Sequence, residues 1–169
     1  MSFKTFDATK ARQYPAFTLY PFLHRSGPMP WAAAAVLDMS KVDKLIFLSG
    51  QTGRDPETDR RPNSWDEERS GVGTVVGPGV KEQTTGCWTR IKETLDGLGV
   101  SMNDIFFITY YIVNPDDYWD MHEATRAFWR EHAPDLLEHT RADTLIRGVG
   151  LALRKMLIEI EVIAVTSKK

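Results

Sequence analysis

Three charged side chains toward the C-terminal end of the chain could act together chemically. Arg141 opens a segment with several β-branched residues, and Glu159 and Glu161 alternate along the stretch from Met156 to Val165. A guanidinium fork matches a carboxylate bidentately. A positioned carboxylate can orient or deprotonate a water that attacks an electrophilic carbon, with no metal required. Spacing alone favours plainer roles. Arg141 then reads as a structural ion pair with Glu161 or Asp143, and Glu159 as a solvated strand carboxylate. Nothing in the spacing chooses between Glu159 and Glu161.

The other reactive residue types carry weaker signals. His122 and His139 stand apart from any metal-binding spacing such as His-x-x-x-His, so no metal site is expected. Cys87 lies beside Trp88 on an apolar helical face and reads as a buried, inert thiol. Trp65 is a lid residue or a surface anchor. Gly71-Val72-Gly73 and Gly77-Pro78-Gly79 are not a phosphate loop, because no Lys-Ser/Thr follows and no strand directly precedes them.

The elements that must position these residues follow from periodicity. The apolar run 44–49 is a buried strand ending at Gly50-Gln51-Thr52-Gly53, where glycine permits close backbone approach. Residues 31–39 read as helix, which their alanines favour, or as strand, and Ser40-Lys41-Val42-Asp43 as a turn decides for a hairpin with 44–49. Val80, Thr84, Cys87, Trp88, Ile91, Leu95 and Leu98 recur at three and four and predict a helix over 79–98, with Gly97 and Gly99 where a C-cap belongs. A strand over 105–113 leads into Asn114-Pro115, which starts a second helix with the inner face Tyr118, Met121, Ala124, Thr125, Phe128 and Trp129. In the last strand Ile158, Ile160, Val162 and Ala164 point one way, and Leu157, Glu159, Glu161 and Ile163 the other. The segment opened by Arg141 could pair with it as a hairpin, which would put Arg141 and Glu159 on neighbouring strands. The order ββ-α-β-α-ββ predicts an α+β fold, a single mixed six-stranded sheet with two helices on one face. The bare face, with Leu157 and Ile163 among its apolar residues, calls for a cover, and oligomerisation is the simplest.

Bulk properties narrow the function. A length of 169 residues fits one domain, divided here into an aromatic N-terminal arm (1–28) and a domain (29–169) with a long loop at 54–78. A net charge of −2 without a basic block gives no footprint for nucleic acid. One cysteine excludes an intrachain disulfide. No apolar run approaches the ~20 residues of a membrane span, and the polar N-terminus lacks a signal core, so a cytoplasmic protein is expected.

Taken in order, Leu48-Ser49-Gly50-Gln51-Thr52, Glu82-Gln83-Thr84, Leu98-Gly99 with Asp104-Ile105, Arg141, and Ile158 through Val165 resemble the RidA family of reactive intermediate deaminases (YjgF-like proteins, endoribonuclease L-PSP) over roughly residues 29–165. The resemblance implies a chorismate-mutase-like fold and a homotrimer with clefts between subunits. It also implies cofactor-free hydrolysis of carboxylated imines or enamines, such as 2-aminoacrylate or 2-aminomuconate, to a keto acid and ammonia. It assigns Arg141 to the substrate carboxylate, Glu159 to the attacking water, Ser49 and Gly50 to the pocket wall, and Trp31 to stacking on the substrate, where tyrosine is usual. The chain departs from the pattern at His139 (usually proline) and at Arg90 and His122 (usually asparagine), and its 54–78 loop is longer. The alternative is a small-molecule-binding or protein-interaction trimer on the same fold.

Overall fold

The three-and-four spacing after Gly79 closes into helix α1, Val80–Gly97, whose buried face is Val80, Gln83, Thr84, Cys87, Trp88, Ile91 and Leu95. Gly99 ends it at φ +69°, returning the Val100 N–H to the Leu95 carbonyl. Leu98, placed on the inner face by periodicity, is exposed instead, since it lies in the unwinding turn. The second helix begins as a 3-10 turn, Pro115–Asp117, capped by Asn114, and continues as α2, Tyr118–His132. A short α3, Pro134–Glu138, follows. The computed structural model describes residues 8–24, 27–54, 64, 77–139 and 141–169. The expected lid with Trp65 and the two glycine runs lies largely outside the described residues.

Both long helices pack on one face of a mixed five-stranded sheet. Its strands are β4 (Val42–Phe47), β5 (Gln51–Thr52), β6 (Ile105–Ile112), β7 (Ala142–Arg147) and β8 (Ile158–Ser167), in the order β4-β8-β6-β7, with β5 also on β8. Ile158, Ile160, Val162 and Ala164 are buried under the helices, as their period-2 pattern requires. Trp88 centres the core: its ring meets Trp129 edge-on at 5.2 Å, and its indole N–H donates to the Thr125 hydroxyl at 3.1 Å. The α+β class, the mixed sheet and the two helices on one face are those the pattern predicts.

Two pairings differ from expectation. β7 and β8 do not form a hairpin, because β6 lies between them, parallel to β7 and antiparallel to β8. The chain between β6 and β7 is long enough, with α2 and α3, for the crossover that a parallel pair needs. The link at 148–157 then lets β8 pass to the other side of β6, and Gly148 turns at φ +76° to donate to Ile112. Residues 31–39 are a strand, but β3 (Gly27–Leu37) pairs with β2 (Phe17–His24), not with β4. With β1 (Arg12–Gln13) they make a separate three-stranded sheet, so the sixth strand of the expected single sheet sits elsewhere. β2 brings Phe17 and Leu19 onto Phe106, Phe107 and Ala142. The chain's own N-terminal residues thus cover part of the sheet face that a partner was expected to cover. Phe47, 69% exposed, remains bare on β4.

Candidate active site

Glu159 sits where β4 and β5 meet β8. Phe47 pairs with Ile163 and Gln51 with Ile160, so three residues (48–50) lie opposite two (161–162), a bulge on this edge. The bulge carries Ser49 and Gly50. Gly50 is there for lack of a side chain: a Cβ on it would lie 1.7 Å from Glu159 Oε1. The carboxylate therefore rests directly on the Gly50 backbone, and three of the expected site residues, Ser49, Gly50 and Glu159, come together. Burial and the charge of Glu161 raise the Glu159 carboxyl above its ordinary pKa. Glu161 is distinguished from it by a partner, accepting from the Tyr111 hydroxyl at 2.9 Å. Of the two acids, Glu159 is the one held at the glycine.

Arg141 is placed differently. It is completely buried, and its partner is neither Glu161 nor Asp143. Its Nε donates to the Ile105 carbonyl at 2.6 Å. One terminal nitrogen donates to the His139 carbonyl (2.6 Å) and the Tyr14 hydroxyl (2.8 Å), the other to the Asn103 carbonyl (2.8 Å) and Asp135 Oδ2 (3.0 Å). A guanidinium has five N–H donors, and here each has a protein acceptor. The Tyr14 ring covers the cation at 4.5 Å and stacks on Phe17. His139, where proline is usual, contributes its carbonyl to this clamp. Burial opposes ionisation of Asp135, but hydrogen bonds from Arg141 and Tyr14 and the guanidinium charge outweigh it and hold the carboxyl below its ordinary pKa.

Trp31 lies in a third place. With Tyr110, Tyr118, His122, Asp143 and Leu145 it lines a cavity of about 200 Å³ between β3, the β6-β7 edge and α2. This cavity is on the helix side of the sheet, whereas Glu159 points from the opposite face of β8. Among the described residues no hydrogen bond or ion pair reaches the Asp143 carboxyl, and burial pushes its pKa up to about 6. His122 is held below its ordinary pKa by burial and by Arg126. Sequence reasoning took His122 as an isolated histidine and Asp143 only as a possible partner for Arg141. The available signal was the alternation of Asp143 and Leu145, which puts a carboxylate on the core side of β7.

That unpaired carboxyl has a measurable consequence. A carboxyl whose pKa rises from 3.8 to about 6 on folding binds its proton more tightly in the folded state. Stability therefore falls as pH rises through this window, and the penalty is complete above it. Asp143→Asn is expected to raise stability at pH 8 by on the order of 2 kcal/mol and to leave it nearly unchanged at pH 4. Melting curves at the two pH values check this, and equal shifts at both would contradict it.

Among the described residues no group of three or more His, Cys, Asp and Glu is placed to hold a metal, and no helix is long and apolar enough to cross a membrane. Residues 27–166 match the family model described as Endoribonuclease L-PSP. A RutC family protein of Pyrococcus abyssi is 32% identical over 94 residues, spanning 56% of this chain and 63% of its own length, somewhat under two thirds. One from Pyrococcus horikoshii is 28% identical over 124 residues, 73% of this chain and 81% of its own. In fold the chain is similar to the Rid family protein YyfB of Yersinia pestis (TM-score 0.60, 21% identity, 81% of this chain and 87% of that one). It is also similar to the YjgF gene product of E. coli (TM-score 0.53, 24% identity, 72% and 80%). With the family match covering most of its length, the chain belongs to the endoribonuclease L-PSP family, that of the YjgF and Rid proteins.

Proposed function

We propose that the protein hydrolyses imines or enamines derived from amino acids, 2-aminoacrylate-like or a catabolic enamine such as 2-aminomuconate, to a keto acid and ammonia. The observation that carries this reading is the Glu159 carboxylate seated on Gly50 with a raised pKa, the setting of a general base. Glu159 takes a proton from water as the oxygen bonds to the imine carbon, and the C=N electron pair moves to nitrogen. The carbinolamine nitrogen then takes that proton back from Glu159, the C–N bond breaks as the oxygen's lone pair forms the carbonyl, ammonia leaves and the hydroxyl proton passes to solvent. Glu159 and the cavity beside Trp31 face opposite sides of one sheet. A cleft that contains both is therefore made by two copies, in keeping with a homotrimer that joins sheet faces at the exposed Phe47 and its half-buried neighbour Ile163. Arg141 takes the substrate carboxylate only by giving up Asp135 or Tyr14. RNA cleavage, which the family model's name suggests, is a poorer fit for a chain of net charge −2.

The saturated guanidinium favours a second reading, a trimer that binds small molecules without turnover. A panel of enzymatically generated imines separates the two. Ammonia release faster than in buffer, from a species with the mass of a trimer in light scattering, is the expected result. Tight binding without acceleration would establish the binding module instead.

A further inference from the structure

We propose that the cavity beside Trp31 selects a protonated nitrogen, an ammonium or iminium group, with Asp143 as its counter-ion. This rests on the reading of the cavity as part of a small-molecule site and names the part of the ligand that enters it. Three aromatic rings, Trp31, Tyr110 and Tyr118, line the cavity, with Leu145 and His122 completing it. The Tyr118 and His122 rings meet edge-on at 4.5 Å, so these walls brace one another. Aromatic faces attract cations, and a carboxylate with no hydrogen-bond or ion-pair partner among the described residues supplies the charge they lack. Tyr110 is 2% exposed and has no hydrogen-bond partner among the described residues, which leaves its hydroxyl available to a ligand. The volume, about 200 Å³, is below the ~300–1,000 Å³ of drug-sized sites and suits a small molecule.

On β7 the cavity-lining charge is Asp143, and on α2 the titratable groups are Tyr118 and His122. Burial and Arg126 keep His122 neutral near pH 7. Tyr110 on β6 is held in its neutral form by burial and by Asp143. Arg126 and Arg147 stand nearby, the latter 5.9 Å from the Tyr118 ring centroid, but both are exposed and neither lines the cavity. Among the described residues the interior therefore carries one negative charge and no positive one at neutral pH. An α-imino acid meets this demand with its iminium nitrogen, while its carboxylate stays at the mouth. Binding should strengthen as pH rises through about 6, where Asp143 ionises, and protonation of His122, which burial and Arg126 resist, works in the same direction by opposing a cation in acid.

The test is calorimetric binding of three matched probes to the whole chain at pH 8: benzylammonium, neutral benzyl alcohol and anionic benzoate. Benzylammonium is expected to bind at least tenfold more tightly than benzyl alcohol, and benzoate most weakly. Asp143→Asn should erase the preference while the benzyl alcohol affinity stays within about twofold. A preference for benzoate, equal binding of all three, no binding of any, or a cation preference that survives in Asp143→Asn would each overturn the proposal. Imine turnover, measured on the same samples, keeps the readings apart. Turnover without cation preference defeats this inference alone, and cation preference without turnover defeats the catalytic reading alone.

Discussion

Arg141→Ala is expected to unfold at a temperature lower by roughly 10 °C or more. The substitution removes five hydrogen bonds at once. It leaves the carbonyls of Asn103, Ile105 and His139 without this donor and takes from Asp135 its buried cation, leaving it the more exposed Arg12 at 3.7 Å. Breaking a buried pair by deleting one member costs about 3–5 kcal/mol, a large share of the 5–15 kcal/mol that holds a domain together. The loss also has a geography. Arg141 joins the 3-10 turn at Met102–Asp104, the start of β6, α3 and the N-terminal arm, so the arm's packing at Tyr14 and Phe17 should loosen with it. Lysine cannot restore the network, since its ammonium has three donors and no planar fork. The Asp135 contribution is present above the ordinary carboxylate pKa and disappears as pH falls through the lowered folded value, so parent and variant should converge in strong acid. Thermal denaturation from neutral to acid pH checks this. A variant that melts within about 1 °C of the parent yet has lost turnover alone would return Arg141 to the substrate.

Gly50→Ala should have the opposite signature. The new methyl would lie 1.7 Å from Glu159 Oε1, 2.6 Å from Cδ and 2.9 Å from Cγ. Such overlap cannot persist, but the atoms that must move form the free end of a flexible side chain, so the carboxylate swings away at little cost. Stability is expected to change by less than about 1 kcal/mol, as for most substitutions that disturb no core or cap. Activity is expected to fall on the order of 100-fold, because a displacement of about 1 Å suffices for that loss in a positioned group. Melting curves and imine turnover on the same preparation test the split. Full activity in a stable Gly50→Ala protein would show that the seat of the carboxylate is immaterial.

Local order was readable where one pattern determined it. The face of α1, the inner face of α2 and the burial of Ile158, Ile160, Val162 and Ala164 follow from period alone, because each element had one apolar side to hide. Partner choice was not readable. That β6 divides β7 from β8 depends on the crossover through α2 and α3, a non-local fact that strand patterns do not encode. The same holds for β3, whose apolar alanines suit either neighbour and which pairs with β2. At the site, a close approach at Gly50 was legible because glycine next to a strand end marks it, but that Glu159 rather than Glu161 is the group approached was not, since spacing left the two acids equivalent. The acceptors of Arg141 were not: three are backbone carbonyls, Tyr14 lies far away in sequence, and Asp135 belongs to a short helix that begins at Pro134.

The activation of water by Glu159 on an imine carbon, proposed above, is open to direct measurement. The direct measurement is the rate of ammonia release from imines generated in situ, for the parent and Glu159→Gln side by side from pH 4 to pH 8, with light scattering to confirm equal assembly. The parent is expected to exceed buffer by a factor that grows as Glu159 ionises, above the ordinary glutamate range. A general base contributes about 10²–10⁴-fold, so Glu159→Gln should fall by that amount at saturating substrate and lose the part of the pH dependence that follows ionisation of Glu159. A Glu159→Gln protein that matches the parent at every pH would contradict the account.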